Sequence, residues 1–195
     1  MTKNSLLNIG IGICKFFRIF SIIAFVILAI LLVHYQINPQ SYDDVELNTK
    51  MSNKNAISIK WSRSTAIKVN DEVSDNSNPF VLSKLKLGSL YFNFLKVSLV
   101  ILFLFLSLKE FQKIIESVKE LKTFQERNVL SFRRIGKYVL IIFVLISFSS
   151  FTFQQGKFSG FHISFELLIL SLLSYIMAEV FKEGNNLSEE NKLTV

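Results

Sequence analysis

Residues 109–137 read KEFQKIIESVKELKTFQERNVLSFRRIGK, a charged segment that lies between two long apolar runs. Its cations are Lys109, Lys113, Lys119, Lys122, Arg127, Arg133, Arg134 and Lys137. Lys and Arg residues beside membrane-spanning segments favour the cytoplasmic side of the membrane. The segment therefore predicts the orientation of the whole chain, because placing it in the cytoplasm decides on which side every other connection lies.

Apolar residues make up half of the 195-residue chain, and 20 of them are Phe. They are concentrated in the runs Ile19–Val33, Leu87–Leu108, Val139–Phe153 and Phe161–Phe181. Each run can be extended to the roughly 20 residues that cross about 30 Å of hydrocarbon as an α-helix. The sequence therefore predicts an all-α membrane protein with four transmembrane helices.

These runs and their connections divide a single membrane domain, residues 1–195, into predicted segments. The predicted spans are 12–36, 87–108, 135–155 and 161–181. An extracytoplasmic β-rich loop at 37–86 joins the first two spans, and a cytoplasmic amphipathic helix and link at 109–134 joins the second to the third. A cytoplasmic tail follows at 182–195. Lys15 and Arg18 lie at the start of the first span, whose far end has no cation until Lys50, so we expect a cytoplasmic N-terminus. No small-x-small cleavage pattern follows the run, which favours a retained helix over a cleaved signal peptide.

The net charge of +7 would suit nucleic-acid binding only if the cations were concentrated on one soluble face. Here they flank apolar runs, so membrane orientation explains them and no direct nucleic-acid contact is expected. The single cysteine, Cys14, cannot form an intrachain disulfide or a cysteine metal cluster. We predict no cofactor and no metal.

The loop at 37–86 has the alternation typical of β-strands. Ile57, Ile59 and Trp61 alternate with polar neighbours, and residues 66–69 repeat the pattern after the polar link Ser62–Thr65. This predicts a small β-hairpin or sheet. Because an isolated hairpin is marginally stable, it would pack on the membrane face, on a strand around residues 45–47, or on a partner.

The charged segment also contains an apolar stripe at three- and four-residue spacing: Phe111, Ile114, Ile115, Val118, Leu121 and Phe124. One interpretation is that this stripe lies on lipid headgroups or against the inner ends of the other helices. The other is that it forms a docking groove for a cytoplasmic protein helix.

A few polar residues fall inside the predicted spans. Lys96 would either snorkel or pair, or else form a functional polar site. His162 and Glu166 are four residues apart in the predicted fourth helix, so they would share a face. They could form part of a metal or proton site, an interfacial hydrogen-bonded pair, or a partner for Lys96. Gly184 is placed to end that helix.

Two motifs resemble a known family. Residues 178–184 read AEVFKEG and are followed by Leu187, Glu190 and a terminal LTV, and residues 124–128 read FQERN and are followed by RRIG at 133–136. Both are similar to the DUF2975 family of small bacterial membrane proteins, whose function is uncharacterised. The resemblance implies four helices, a bacterial cytoplasmic membrane and genetic association with a small helix-turn-helix regulator.

These observations favour a non-enzymatic protein of the lipid bilayer that tethers such a regulator. The predicted contact residues are Phe111, Ile115, Val118, Phe124, Glu183, Glu189 and Glu190. The glutamates would mimic phosphates toward the regulator's basic surface. The alternative is a subunit of a small-solute or ion transporter or channel, a homo-oligomer with Lys96, His162 and Glu166 along its path. The chain contains no zinc helix, nucleophile elbow or phosphate-binding loop, so we expect no enzymatic activity.

Overall fold

The computed structural model describes residues 3–45, 58–66, 81–121, 123–154 and 156–193. Within them the α-helices are α1 (Lys3–Ile37), α2 (Leu87–Lys119), α3 (Glu126–Ser147) and α4 (Phe165–Leu193), and the strands are β1 (Ser58–Ala66), β2 (Phe148–Thr152) and β3 (Gly156–Ser164). Short 3-10 helices lie at Pro39–Tyr42 and Leu82–Lys84. The described part is therefore mostly helical, with four α-helices and a small sheet.

Two helices in the described ranges are long and apolar enough to cross a membrane, Ser5–Ile37 and Leu87–Lys119. Each has 33 residues, which corresponds to about 50 Å of helix. Large apolar side chains along α1 are exposed, among them Phe16 at 65% and Ile30 at 61%. Long apolar helices of this kind are compatible with a membrane protein, because lipid covers side chains that water would disfavour.

The chain divides into two compact units. The helical unit comprises Met1–Ala24, Val100–Phe143 and Phe165–Val195, and the sheet unit comprises Phe25–Leu99 and Val144–Ser164. In the helical unit, Ile114, Ile135 and Val139 form a buried cluster against which Val118, Phe132 and Leu167 pack. The core of this unit is therefore the seam where the end of α2 meets α3, with α4 beside it.

The sheet unit contains an antiparallel sheet in the order β1-β3-β2. Ser58 pairs with Ser164 and Ala66 with Gly156, while Phe148 pairs with Phe161. Burial alternates at the start of β3, where Phe158 is buried and Lys157 is exposed. A second core lies here, formed by Tyr35, Leu85, Phe153 and Phe158.

The loop at 37–86 contributes a strand, β1, to a small sheet, as predicted, but the predicted hairpin link is wrong. Ser62–Thr65, predicted as the link between two strands, lies inside β1, and the strand that pairs with β1 is β3, from the connection between α3 and α4. Residues 56–57 and 67–69 lie outside the described residues. A local alternation indicates that a strand forms but not which strand pairs with it, since the partner is distant in sequence.

The predicted bounds of the last two helices also differ from the structure. We predicted helices over 135–155 and 161–181, whereas α3 covers Glu126–Ser147, Phe148–Thr152 and Phe161–Ser164 are strand, and α4 continues to Leu193. A continuous apolar run is typical both of a buried strand and of a helix. The strands are apolar and adjoin the helices in sequence, so the prediction included them in the helices.

A separate amphipathic helix at 109–134 is likewise not observed. α2 continues without a break to Lys119, because no Pro or Gly interrupts it where its composition changes from apolar to charged. A turn follows in which Leu121 has a left-handed backbone with φ of 60°, and α3 then begins.

Candidate functional site

The turn between α2 and α3 is held by a buried asparagine. The Asn128 side-chain amide donates to the Ser117 hydroxyl at 2.8 Å and to the Thr123 carbonyl at 2.7 Å, and Asn128 is fully buried. At the end of α2, the Leu121 amide donates to the Val118 carbonyl at 3.2 Å. Buried polar groups stay buried only when they are hydrogen-bonded, so these contacts specify the shape of the turn.

The end of α4 packs against this turn through aromatic contacts. Phe181 lies with its ring centroid 5.6 Å from that of Phe124 and 4.8 Å from that of Phe132. Gly184 lies directly against the Phe124 ring, where any Cβ atom would overlap it. Gly184 therefore does not end the helix, as predicted, but allows α4 to pass the turn.

We name the area around this contact the tail surface: Phe124, Phe181, Glu183, Gly184, Leu187, Glu189 and Glu190. Its glutamates are exposed, and Leu187 is 55% exposed. The Asn185 amide donates to Glu189 at 3.0 Å. The surface thus combines the exposed carboxylates of α4 with the exposed apolar side chains of Leu187 on α4 and Phe124 on the turn.

A buried carboxylate links α2 to α3 in the same unit. Glu110 accepts a 2.6 Å hydrogen bond from the Lys113 ammonium and a 2.8 Å bond from the Ser131 hydroxyl, and the Arg134 guanidinium lies 3.5 Å away. Its side chain is only 8% exposed. A buried charge must be paired to be tolerated, and here cations and a hydroxyl supply the pairing.

A second glutamate links α4 to α3 at the surface. Glu179 pairs with Arg133 at 2.7 Å and lies 3.7 Å from Lys182. All of these side chains are about half exposed or more. The pair therefore orients the helices with little net stabilisation, as is usual for exposed ion pairs.

At the other face of α2, an arginine from α1 provides the contact. Arg18 donates to the Gln112 side-chain oxygen at 3.0 Å, and Gln112 in turn donates to Glu116 at 2.7 Å. The guanidinium of Arg18 also lies 4.8 Å from the centre of the Phe105 ring. Arg18, which we used only as an orientation signal, thus ties α1 to α2.

The predicted contact residues of the apolar stripe fall into two groups. Phe111 and Phe124 are 46% and 47% exposed. Val118 packs against the buried cluster, and Ile115 lies 3.3 Å from where a Cβ of Gly10 would be. Much of the stripe is therefore used by contacts inside the chain, and only its flanks remain open.

The predicted polar residues of the spans are not placed as one cluster by any described contact. Lys96 donates from its ammonium to the Phe148 carbonyl at 2.7 Å. His162 lies in β3 and Glu166 in the first turn of α4, so the prediction that they share a helical face is wrong. Among the described residues, no three His, Cys, Asp or Glu side chains are grouped as metal ligands are.

Sequence reasoning missed Glu110, Asn128 and Ser131. Their signal is helical spacing: Glu110 precedes Ile114 by four residues and Ser117 by seven, so it lies on the buried face of α2. A charge on a buried face predicts a partner on the facing helix, and Ser131 is that partner.

Comparison with known families places the chain. A family model described as "Protein of unknown function (DUF2975)" matches residues 52–195. The chain belongs to the DUF2975 family. This confirms the resemblance stated for residues 124–136 and 178–195, which both lie in the matched range. No curated protein and no solved structure matches the chain.

Proposed function

We propose that this DUF2975 protein is a non-enzymatic, multi-pass protein of the bacterial cytoplasmic membrane that tethers a cytoplasmic partner at its tail surface. The partner with the best chemical fit is a small helix-turn-helix regulator, because its DNA-binding face is basic. The observation that carries the proposal is the contact of Phe124 with Phe181 and Gly184, which joins the turn and the acidic end of α4 into one surface.

Helix lengths support the membrane part of the proposal. α1 and α2 are candidate spans, because each is long enough to cross the hydrocarbon and contains a strongly apolar stretch with few charges. The cations of residues 109–137 favour a cytoplasmic position for the turn between α2 and α3, and in this proposal the start of α1 and the end of α4 lie on the same side.

Charge supports the choice of partner. Glu183, Glu189 and Glu190 are exposed on α4, and carboxylates spaced along a helix can oppose the Lys and Arg side chains that bind DNA phosphates. A regulator held there would be kept from DNA by competition for the same basic surface. Release of the regulator would restore DNA binding.

The test is a bacterial two-hybrid assay between the full-length protein and a small helix-turn-helix regulator from the same genome, the class of partner that the family resemblance implies. We expect charge reversal by Glu183→Lys, Glu189→Lys and Glu190→Lys together to abolish the interaction. The matched control reverses the exposed acids of another segment, Asp43→Lys and Asp44→Lys, and keeps the signal. Equal signals from the two variants would refute the tail surface as the docking site.

A further inference from the structure

A cleft of about 560 Å³ lies in the helical unit between the start of α1 and the end of α2. It is lined by Asn8, Ile11, Gly12, Lys15, Glu116, Lys119 and Glu120. Three- and four-residue spacing puts each helix's contribution on one face of that helix. The volume falls within the roughly 300–1,000 Å³ of typical small-ligand sites.

Charges of both signs line this cleft. Lys15 and Lys119 supply ammonium groups, and Glu116 and Glu120 supply carboxylates. The Glu116 carboxylate is oriented by the 2.7 Å hydrogen bond from Gln112, which Arg18 holds in turn. A ligand that carries a phosphate and a primary ammonium matches such a lining, because ammonium groups can donate to its phosphate and carboxylates can accept from its ammonium.

Apolar side chains flank the cleft on α1. Ile9, Ile13 and Phe16 are 46%, 50% and 65% exposed and occupy the neighbouring face of the same helix. A headgroup in the cleft would therefore leave its acyl chains beside apolar side chains rather than water. This combination is typical of a lipid site at a membrane interface, where basic residues bind the phosphate.

We propose that the cleft binds the headgroup of an aminophospholipid, with the phosphate between Lys15 and Lys119 and the primary ammonium at Glu116 and Glu120. A phosphatidylcholine headgroup has the same charges but no N–H donor, and a phosphatidylglycerol headgroup has no ammonium. The site therefore prefers phosphatidylethanolamine to both. This goes beyond the tethering of a regulator, since the cleft contains no residue of the tail surface.

Gly12 gives a direct way to block the site. No atom outside its own helix neighbourhood lies within 4 Å of where a Cβ of Gly12 would be, so Gly12→Leu adds bulk to the cleft without a backbone clash. Gly88 in α2 has equally open space but does not line the cleft. Gly88→Leu is thus a matched control for the helical substitution itself.

The experiment is native mass spectrometry of the full-length protein in detergent, titrated with dioleoyl phosphatidylethanolamine, phosphatidylcholine and phosphatidylglycerol. We expect Gly12→Leu and Lys119→Gln each to weaken phosphatidylethanolamine binding by about tenfold or more, the usual loss when a charged hydrogen-bond partner is blocked or removed. Gly88→Leu should bind as the unmodified protein does. Lys119→Gln adds no bulk, so it tests the site even where Gly12→Leu lowers the yield of folded protein.

Glu120→Gln separates recognition of the ammonium from recognition of the phosphate. We expect it to weaken phosphatidylethanolamine binding while leaving phosphatidylglycerol binding unchanged. Equal binding of the three lipids, or unchanged binding by both Gly12→Leu and Lys119→Gln, would overturn the proposal. Either result would leave the two-hybrid prediction for the tail surface untouched, so the two proposals fail independently.

Discussion

Replacing Glu110 by Gln removes one buried charge and keeps the size and shape of the side chain. The Glu110 carboxylate accepts hydrogen bonds from Lys113 at 2.6 Å and Ser131 at 2.8 Å, and it lies 3.5 Å from Arg134. An amide offers one acceptor oxygen in place of two and presents an NH₂ group to at least one donor. Glu110→Gln should therefore destabilise the seam between α2 and α3.

The magnitude follows from these contacts. A hydrogen bond to a charged group contributes about 1.5–3 kcal/mol and a neutral one about 0.5–1.5 kcal/mol, so each of the bonds from Lys113 and Ser131 loses about 1 kcal/mol. The Lys113 and Arg134 side chains are 34% and 53% exposed, so the remaining ion-pair contribution is small. We expect a total loss of about 2–3 kcal/mol, which lowers Tm by about 4–12 °C for a chain of this size.

The chain contains its own reporter of unfolding. Cys14 is the sole cysteine and is 3% exposed in the same helical unit as Glu110. A maleimide dye that becomes fluorescent on reaction will label it as the unit opens, so a temperature ramp in detergent gives Tm directly. Any change in the reaction temperature of Cys14 then reports on this unit.

Glu179→Gln is the matched control for this measurement. Glu179 also joins two helices by an ion pair, to Arg133 at 2.7 Å, but its side chain is 61% exposed. Solvent screens that pair, so Glu179→Gln should leave Tm within the scatter of the assay. Equal shifts for the two variants would refute the argument that burial, and not the presence of an ion pair, makes Glu110 important.

Two further variants test the packing of each unit. Gly136→Leu should lower the free energy of unfolding by about 1–3 kcal/mol in the same assay, because a Cβ there lies 2.9 Å from the Tyr175 ring. Gly88→Leu should leave it unchanged, because nothing lies within 4 Å of a Cβ at that position. An unchanged Tm for Gly136→Leu would contradict the close approach of α3 and α4. In the sheet unit the Tyr35 hydroxyl donates a 3.0 Å hydrogen bond to the Leu82 carbonyl. Tyr35→Phe should therefore lower the free energy of unfolding in urea by about 0.5–1.5 kcal/mol. The control is Tyr91→Phe, at an exposed tyrosine, and an equal loss for the two variants would be inconsistent with the Tyr35 bond.

The sequence was sufficient for α1 and for the start of α2, because each has a long apolar run. The predicted span 12–36 lies within α1, and the run Leu87–Leu108 begins where α2 begins. It was not sufficient for β2 and β3. Phe148 and Phe161 extend the apolar runs of the neighbouring helices. Where almost every residue is apolar, neither the alternation of a strand nor the spacing of a helix can be recognised.

The sequence likewise predicted part of the candidate site and missed part of it. Glu183, Glu189 and Glu190 were predicted as partner-binding residues of the polar tail; their side chains are exposed, and the contact itself stays a prediction. Gly184 was predicted to end α4 because glycine is common at the ends of helices. What decides its role is the Phe124 ring, which comes from a turn distant in sequence, and no local pattern contains that contact.

The most direct test of the whole account asks on which side of the membrane two exposed residues lie. In a Cys14→Ser background, Asp43→Cys and Lys119→Cys are each treated with a membrane-impermeant maleimide, first on intact cells and then after permeabilisation. We expect Asp43→Cys to react in intact cells and Lys119→Cys to react only after permeabilisation, since the cations around residue 119 favour the cytoplasm. Labelling of Lys119→Cys in intact cells, or recovery of the protein in solution without detergent, would contradict it.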